Sequence, residues 1–308
     1  MSRISTAGNY QSALLNLMAA QTRQQDAQER ISTQKIATDL TGFGRGAENI
    51  TALKGAQTRV QGFLDTGEVV AARLERQDLA LNQIADAIGE ARATIGSVLA
   101  SDSANVLILE LQGQFQNIQN GLNARHQGGY LFAGADTTNA PVGVATLAEL
   151  AAAPDVASAF GNDTLTPVSR LAESTSVETG YLANDVGTEI FQIFRDIQEY
   201  HAGPGGPLTG KPSEAQKTFL TAQLSRLDAA RTGVTETISR NGSLQKRVET
   251  LNTGHVAQIT SLDELVAKKT DADLAQAVTD LQLSQVAVQA SAQVISQLSQ
   301  VSLLNFLR

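Results

Sequence analysis

The sequence predicts a mainly α fold, in which long N- and C-terminal helices form coiled-coil and helical-bundle layers. A small mixed or β-containing outer domain is inserted between them. All six prolines of the 308-residue chain fall between residues 141 and 212. Because proline disrupts a helix interior at a cost of ~3 kcal/mol, the proline-free arms on either side favour long helices. Residues 129–212 hold three basic and ten acidic side chains, so the insert is also acidic.

The first arm contains a sustained heptad repeat. If Leu53 is an a position, twelve of the fourteen a and d positions from Leu53 to Val98 are apolar. Seven heptads of this quality are typical of a coiled coil. A second helix is predicted after Ser103, ending near residues 126–129. The predicted coiled-coil seam consists of Leu53, Val60, Phe63, Val70, Leu74, Leu81, Ile84, Ile88, Ile95 and Val98.

The insert and the return arm complete the predicted organisation. Residues 129–133 (GYLFA) suggest a short strand, and residues 186–200 form an apolar stripe that predicts a helix. Ser213 is a candidate N-cap of the return helix, whose more polar seam includes Asn241 and His255. We predict three layers: residues 1–46 with 267–308 as a terminal inner coiled coil, 47–128 with 213–266 as a helical bundle, and 129–212 as the outer domain.

The last helix is the most informative segment. Residues 281–307 carry no charge, yet 12 of these 27 residues are Gln, Ser or Asn, which is too polar for a membrane span. At about 100° per residue, apolar side chains fall on two opposed stripes, separated by a glutamine flank and a serine flank. Two apolar sides favour a helix inside a polymer, with a central bundle helix as the alternative.

Two sets of side chains on this helix are candidate functional residues. Those predicted to mediate assembly are Leu281, Leu283, Ala287, Val288, Ala290, Val294, Ile295, Leu298, Val301, Leu303, Leu304, Phe306 and Leu307. The glutamines could hydrogen-bond between helices or face a narrow polar channel; they are Gln282, Gln289, Gln293 and Gln300.

Composition argues against several classes of function. The chain has no cysteine, three dispersed histidines and a net charge of -8, which disfavours thiolate chemistry, metal sites and nucleic-acid binding. Residues 42–47 and 205–211 resemble nucleotide-binding loops only in part, because neither follows a convincing strand. We therefore predict no enzymatic activity, no cofactor, no metal and no membrane span. The N-terminus lacks the apolar core of a secretory signal.

Four segments resemble the bacterial flagellar hook–filament junction proteins, which are hook-associated relatives of flagellin. Residues 3–6 (RIST) are similar to the start of these proteins, and residues 30–36 (RISTQKI) to their "ISTGK" segment. Residues 130–137 (YLFAGADT) resemble their "YLFAGxxT" stretch, and residues 302–308 (SLLNFLR) the flagellin-type tail. Gln34 stands where the family usually has glycine.

The resemblance implies a structural adaptor in the extracellular flagellum, exported by the flagellar type III apparatus without a cleaved signal peptide. Its implied partners are further copies in a ring or helical polymer, a hook-side junction protein, filament flagellin and a flagellar export chaperone. The paired termini would line an export channel. A filament flagellin is the first alternative, and a cytoplasmic coiled-coil regulatory protein is an alternative of another class.

Overall fold

A computed structural model describes residues 2–306, with side chains from residue 8 to residue 298. Over this range the α-helices are α1 (Ser2–Thr33), α2 (Ala47–Ser101), α3 (Leu107–Leu122), α4 (Leu147–Ala152), α5 (Ala183–Ala202), α6 (Glu214–Thr270) and α7 (Leu274–Phe306). Two antiparallel hairpins pair β1 (Arg125–His126) with β2 (Gly129–Tyr130), and β3 (Val168–Ala172) with β4 (Thr175–Glu178). The predicted mainly α fold class is confirmed.

The chain divides into two compact units. The first contains Met1–Arg59 and Gln258–Arg308, and the second contains Val60–Ala257. Of the ten predicted seam residues, eight are buried, while Leu53 and Phe63 are half-buried. The two a and d positions of α2 without an apolar side chain, Gly67 and Gln77, are buried as well.

The core of the second unit is built around phenylalanines from α3 and α5. Phe115 meets Phe191 edge to face, with ring centroids 4.9 Å apart, and lies 5.8 Å from Phe194. Residues of the acidic insert therefore share one hydrophobic core with the helical arms. Such aromatic pairs contribute stability beyond that of their buried area, because ring edges are attracted to ring faces.

The three predicted layers describe an assembled polymer and remain a prediction.

The β3–β4 hairpin forms a second, smaller cluster in the same unit. Leu171 and Val177 pack with Val70, Leu74 and Val248 from α2 and α6. The Nε2 atom of His255 donates a hydrogen bond to the Leu171 carbonyl at 2.7 Å, because a carbonyl oxygen can only accept. The hairpin is thus fixed to α6 by one polar bond and to both helices by apolar contacts.

A capping box stabilises the N-terminus of α6. The Ser213 hydroxyl accepts from the Gln216 backbone N–H at 3.3 Å, and the Gln216 side chain accepts from the Ser213 N–H at 2.9 Å. These reciprocal bonds satisfy two backbone donors that a helix start leaves unpaired. The predicted N-cap is the residue that the structure uses.

In the first unit, α1 ends at a backbone conformation that suits glycine. Gln34 follows the last residue of α1 and has a φ of 58°, in the left-handed region. Its carbonyl accepts from the Ala272 N–H at 3.0 Å, which links the end of α1 to the start of α7. Helices commonly end on a left-handed glycine because a side chain disfavours this conformation.

We expect Gln34→Gly to raise the free energy of unfolding of the first unit by about 1 kcal/mol, since glycine relieves the left-handed strain. Urea unfolding of the full chain, followed by helical circular dichroism, measures this change. Gln21→Gly is the matched control: Gln21 lies within α1, where glycine should destabilise by about 1 kcal/mol. Equal effects at the two positions would contradict the conformational argument.

Candidate assembly surface

Helices α1 and α7 run antiparallel and contact each other along a seam whose fully buried side chains are small. Both helices present buried or half-buried residues at alternating spacings of three and four, as in a coiled coil. From α1 these are Ala13, Leu17, Ala20, Gln24, Ala27 and Ile31. From α7 they are Ala277, Leu281, Ser284, Val288, Ser291, Ile295 and Leu298.

The α1 half of this seam was missed by the sequence analysis. Ala13, Ala20 and Ala27 are buried and stand seven residues apart, so the signal was a repeat of alanine at heptad spacing. Alanine allows two helices to approach closely, but it buries little apolar area and so contributes less stability than leucine. The α1–α7 pair has a well-defined register and a thin hydrophobic seam.

The serines of α7 lie on a different side of the helix from the one predicted. Ser284 is buried and Ser291 half-buried, both on the side that faces α1 rather than on a flank. Serine is small enough for a seam built of alanines, and the Ser284 hydroxyl donates to the Leu281 carbonyl at 2.8 Å. This local hydrogen bond removes the cost of burying the hydroxyl.

The second apolar stripe of α7 is exposed in the single chain. Leu283 is 65% exposed, Val286 is 63% exposed, and Ala290 and Val294 lie on the same side. On the seam side, Leu281, Val288, Ile295 and Leu298 are half-buried, as is Ala287 at the edge of the exposed stripe. The side chains of Val301, Leu303, Leu304 and Phe306, and the whole of Leu307, lie outside the described residues.

The glutamines of α7 occupy a further flank. Gln282, Gln289 and Gln293 are exposed, while the side chain of Gln300 lies outside the described residues. At about 100° per residue, the three described glutamines fall within a narrow sector beside the exposed apolar stripe. A polar flank and an apolar stripe therefore run side by side along this helix.

The α1 helix also exposes apolar side chains. Leu15 and Met18 are more than half exposed, and a groove between the helices is lined by Asn9 and Ala13 from α1 and by Ala290 and Val294 from α7. No charged residue occurs in residues 8–22 or 281–298. Charged side chains normally keep exposed helices solvated, so this surface is typical of a contact site.

Charged side chains occur at the end of the α1–α7 pair where α1 leads into α2. Arg30 lies 3.7 Å from Asp280, and the Lys35 ammonium lies 2.5 Å from the Asp271 carboxylate. The hydrogen bond from Lys35 lowers the pKa of Asp271. The ion pair therefore stabilises the fold at pH values above the ordinary aspartate pKa. This stabilisation is lost as the pH falls through the lowered pKa of Asp271. Both pairs are exposed and contribute little individually.

The two nucleotide-like segments form connections in the structure. Thr41–Gly46 is a 3₁₀ turn between α1 and α2, and residues 205–211 lie in the link before α6. Among the described residues, no three histidine, aspartate or glutamate side chains cluster closely enough to hold a metal ion. Within the same part of the chain, no helix combines the length and apolar character needed to cross a membrane.

Comparison with known proteins identifies the C-terminal arm. The family model of the bacterial flagellin C-terminal helical region matches residues 224–307, which include most of α6 and all of α7. The C-terminal arm is similar to the flagellin C-terminal helical region. The resemblance expected from the sequence is thereby confirmed.

Two solved structures share the fold of this chain. One is a protein assigned as a flagellar hook-associated protein in Vibrio parahaemolyticus, with 13% identity, a TM-score of 0.59, and coverage of 76% of this chain and 99% of the other. The second is FlgL from Bacillus cereus, with 12% identity, a TM-score of 0.56, and coverage of 70% and 99%. No curated protein sequence matches the chain.

We expect Ala20→Leu to weaken the α1–α7 pair by roughly 1–3 kcal/mol, because the close seam has no room for the larger side chain. Hydrogen exchange of the α1 and α7 amides in the full chain measures the loss. Ala19→Leu is the control, since Ala19 is exposed and adjacent to the buried Ala20. Unchanged protection in both variants would contradict a close-packed seam.

Proposed function

We propose that this protein is a structural component of the bacterial flagellum, an adaptor at the hook–filament junction that assembles through α1 and α7. The observation that carries the proposal is the charge-free part of α7 after Asp280, which is paired with α1 on one side and exposes Leu283 and Val286 on another. The flagellin C-terminal match and the fold shared with hook-associated proteins support it.

Burial of the exposed stripe supplies the driving force for assembly. Covering a large aliphatic side chain contributes about 1.5–3 kcal/mol, so each subunit gains several kcal/mol when a neighbour covers Leu283, Val286 and Val294. Because the surface carries no charge, assembly should depend weakly on ionic strength. The partners proposed are further copies of this chain, a hook-side junction protein and filament flagellin, with an export chaperone before assembly.

In this proposal, the protein is exported without a cleaved signal peptide and acts outside the cell. Residues 1–46 with 267–308 form the inner layer, 47–128 with 213–266 the surrounding bundle, and 129–212 the outer face. Assignment to the junction rather than the filament is supported by the likeness to hook-associated proteins over 76% and 70% of the chain. A filament flagellin remains the second candidate, supported by the C-terminal match.

Electron microscopy of the purified protein and of isolated flagella tests the junction assignment. We expect label on this protein at one short zone between hook and filament, and no long self-filaments under polymerising conditions. Label along the whole filament, or long self-filaments, would instead identify a flagellin.

We expect the double substitution Leu283→Ser and Val286→Ser to abolish incorporation into flagella while leaving the monomer folded. Loss of two aliphatic side chains that assembly would bury removes roughly 3–6 kcal/mol per subunit, which corresponds to at least a hundredfold weaker association. Motility, and the amount of protein in sheared flagella, measure incorporation, and circular dichroism checks the monomer.

The matched control for this double variant is Gln282→Ser with Gln289→Ser, on the neighbouring polar flank of α7. It should assemble normally. Wild-type motility of the Leu283 and Val286 variant would contradict the assembly surface.

The glutamine flank generates a separate prediction about the export channel. If Gln282, Gln289 and Gln293 face the channel, their replacement with leucine should slow passage of later subunits more than it disturbs packing. Secretion of filament flagellin, measured beside the amount of this protein retained in the flagellum, separates the two effects. An assembly defect with normal secretion would reverse the proposed orientation.

A further inference from the structure

The seam between α2 and α6 contains a polar layer between two hydrophobic clusters. On α2, the smaller cluster includes Val70 and Leu74, and the main core resumes at Ala80. On α6, the main core extends to Val234, and the smaller cluster includes Val248. Gln77 on α2 and Asn241 on α6 each fall in this gap, and both side chains are 0% exposed.

A hydrogen bond to the Leu74 carbonyl places Asn241 against the turn of α2 that contains Gln77. The Asn241 Nδ2 donates to the Leu74 carbonyl at 2.9 Å, and the Gln245 Nε2 donates to the same oxygen at 3.1 Å. In a helix, the carbonyl of residue 74 points toward the following turn, where residues 77 and 78 lie. Leu74 and Gln77 are three residues apart and share one face of α2. Asn241 therefore meets α2 at the level of Gln77.

Three atoms of this polar layer have no protein partner. Among the described residues, neither Nε2 nor Oε1 of Gln77 has a hydrogen-bond partner, and the same holds for Oδ1 of Asn241. A buried amide without hydrogen bonds costs enough to be rare in folded proteins. Together, the three atoms offer two acceptors and one donor group at the same level of the seam, which is the polar environment that a buried water molecule requires.

We propose that a single buried water molecule bridges Gln77 and Asn241 and forms an integral part of the α2–α6 seam. The water donates its two hydrogens to Gln77 Oε1 and Asn241 Oδ1 and accepts one from Gln77 Nε2. The layer fixes the register of the two helices, because a shift by one heptad would bury both amides against apolar side chains.

Two measurements on the full chain test the bridge. In water-to-protein magnetisation transfer by NMR, the Gln77 side-chain amide should show a cross-peak with the sign of a long-lived bound water, and Asn241→Leu should remove it. Gln77→Met, which keeps the shape and removes the polar atoms, should lower the urea midpoint of the second unit, because it leaves the water and Asn241 with fewer partners. Gln116→Met, at an exposed position of α3 in the same unit, should leave the midpoint unchanged.

Each opposite result overturns the proposal. No long-lived water signal at Gln77 would mean that the amides pair in another way. A raised midpoint for Gln77→Met would mean that the amide is buried without a partner and that methionine relieves its cost. A signal that persists in Asn241→Leu would place the water elsewhere.

Discussion

The absence of charge in α7 beyond Asp280 is the constraint on which the functional account depends. A helix that is uncharged from residue 281 to residue 306 and apolar on two sides has more apolar surface than a single neighbouring helix covers. In the single chain, α1 covers one side through a seam whose fully buried residues are alanines and Ser284, and the stripe that contains Leu283 and Val286 is left exposed. In the proposed assembly, a second copy of the same chain buries that stripe with an uncharged surface of matching character.

The two units meet different physical requirements. The second unit buries large aromatic and aliphatic side chains such as Phe115, Phe191 and Phe194, and so has a core of the kind that folds independently. The first unit has a register set by Ala13, Ala20 and Ala27 but little apolar area in its α1–α7 seam. A thin seam suits a segment that completes its packing on assembly, because the exposed stripe then supplies the missing burial.

Long-range periodicity could be read from the sequence, whereas contacts between distant segments could not. The α2 heptad predicted burial because a and d positions recur over seven heptads, and even the exceptions Gly67 and Gln77 lie inside. The α1 seam was missed because alanine is a weak hydrophobic signal. The serine flank was placed on the wrong side of α7 because a small hydroxyl residue fits a close seam as well as a surface. The core shared by the insert and α3 depends on which phenylalanines meet in space, and the sequence contains no local signal for that.

Solvent access to the two sides of α7 tests the central claim most directly. The chain has no cysteine, so Val286→Cys and Val288→Cys each introduce a single thiol, on the exposed stripe and on the α1 side respectively. The account predicts that a maleimide reagent labels Val286→Cys rapidly in the monomer and at least tenfold more slowly in assembled flagella. In the monomer, Val288→Cys should already be labelled more slowly than Val286→Cys. Equal labelling of Val286→Cys in monomer and flagella would contradict it.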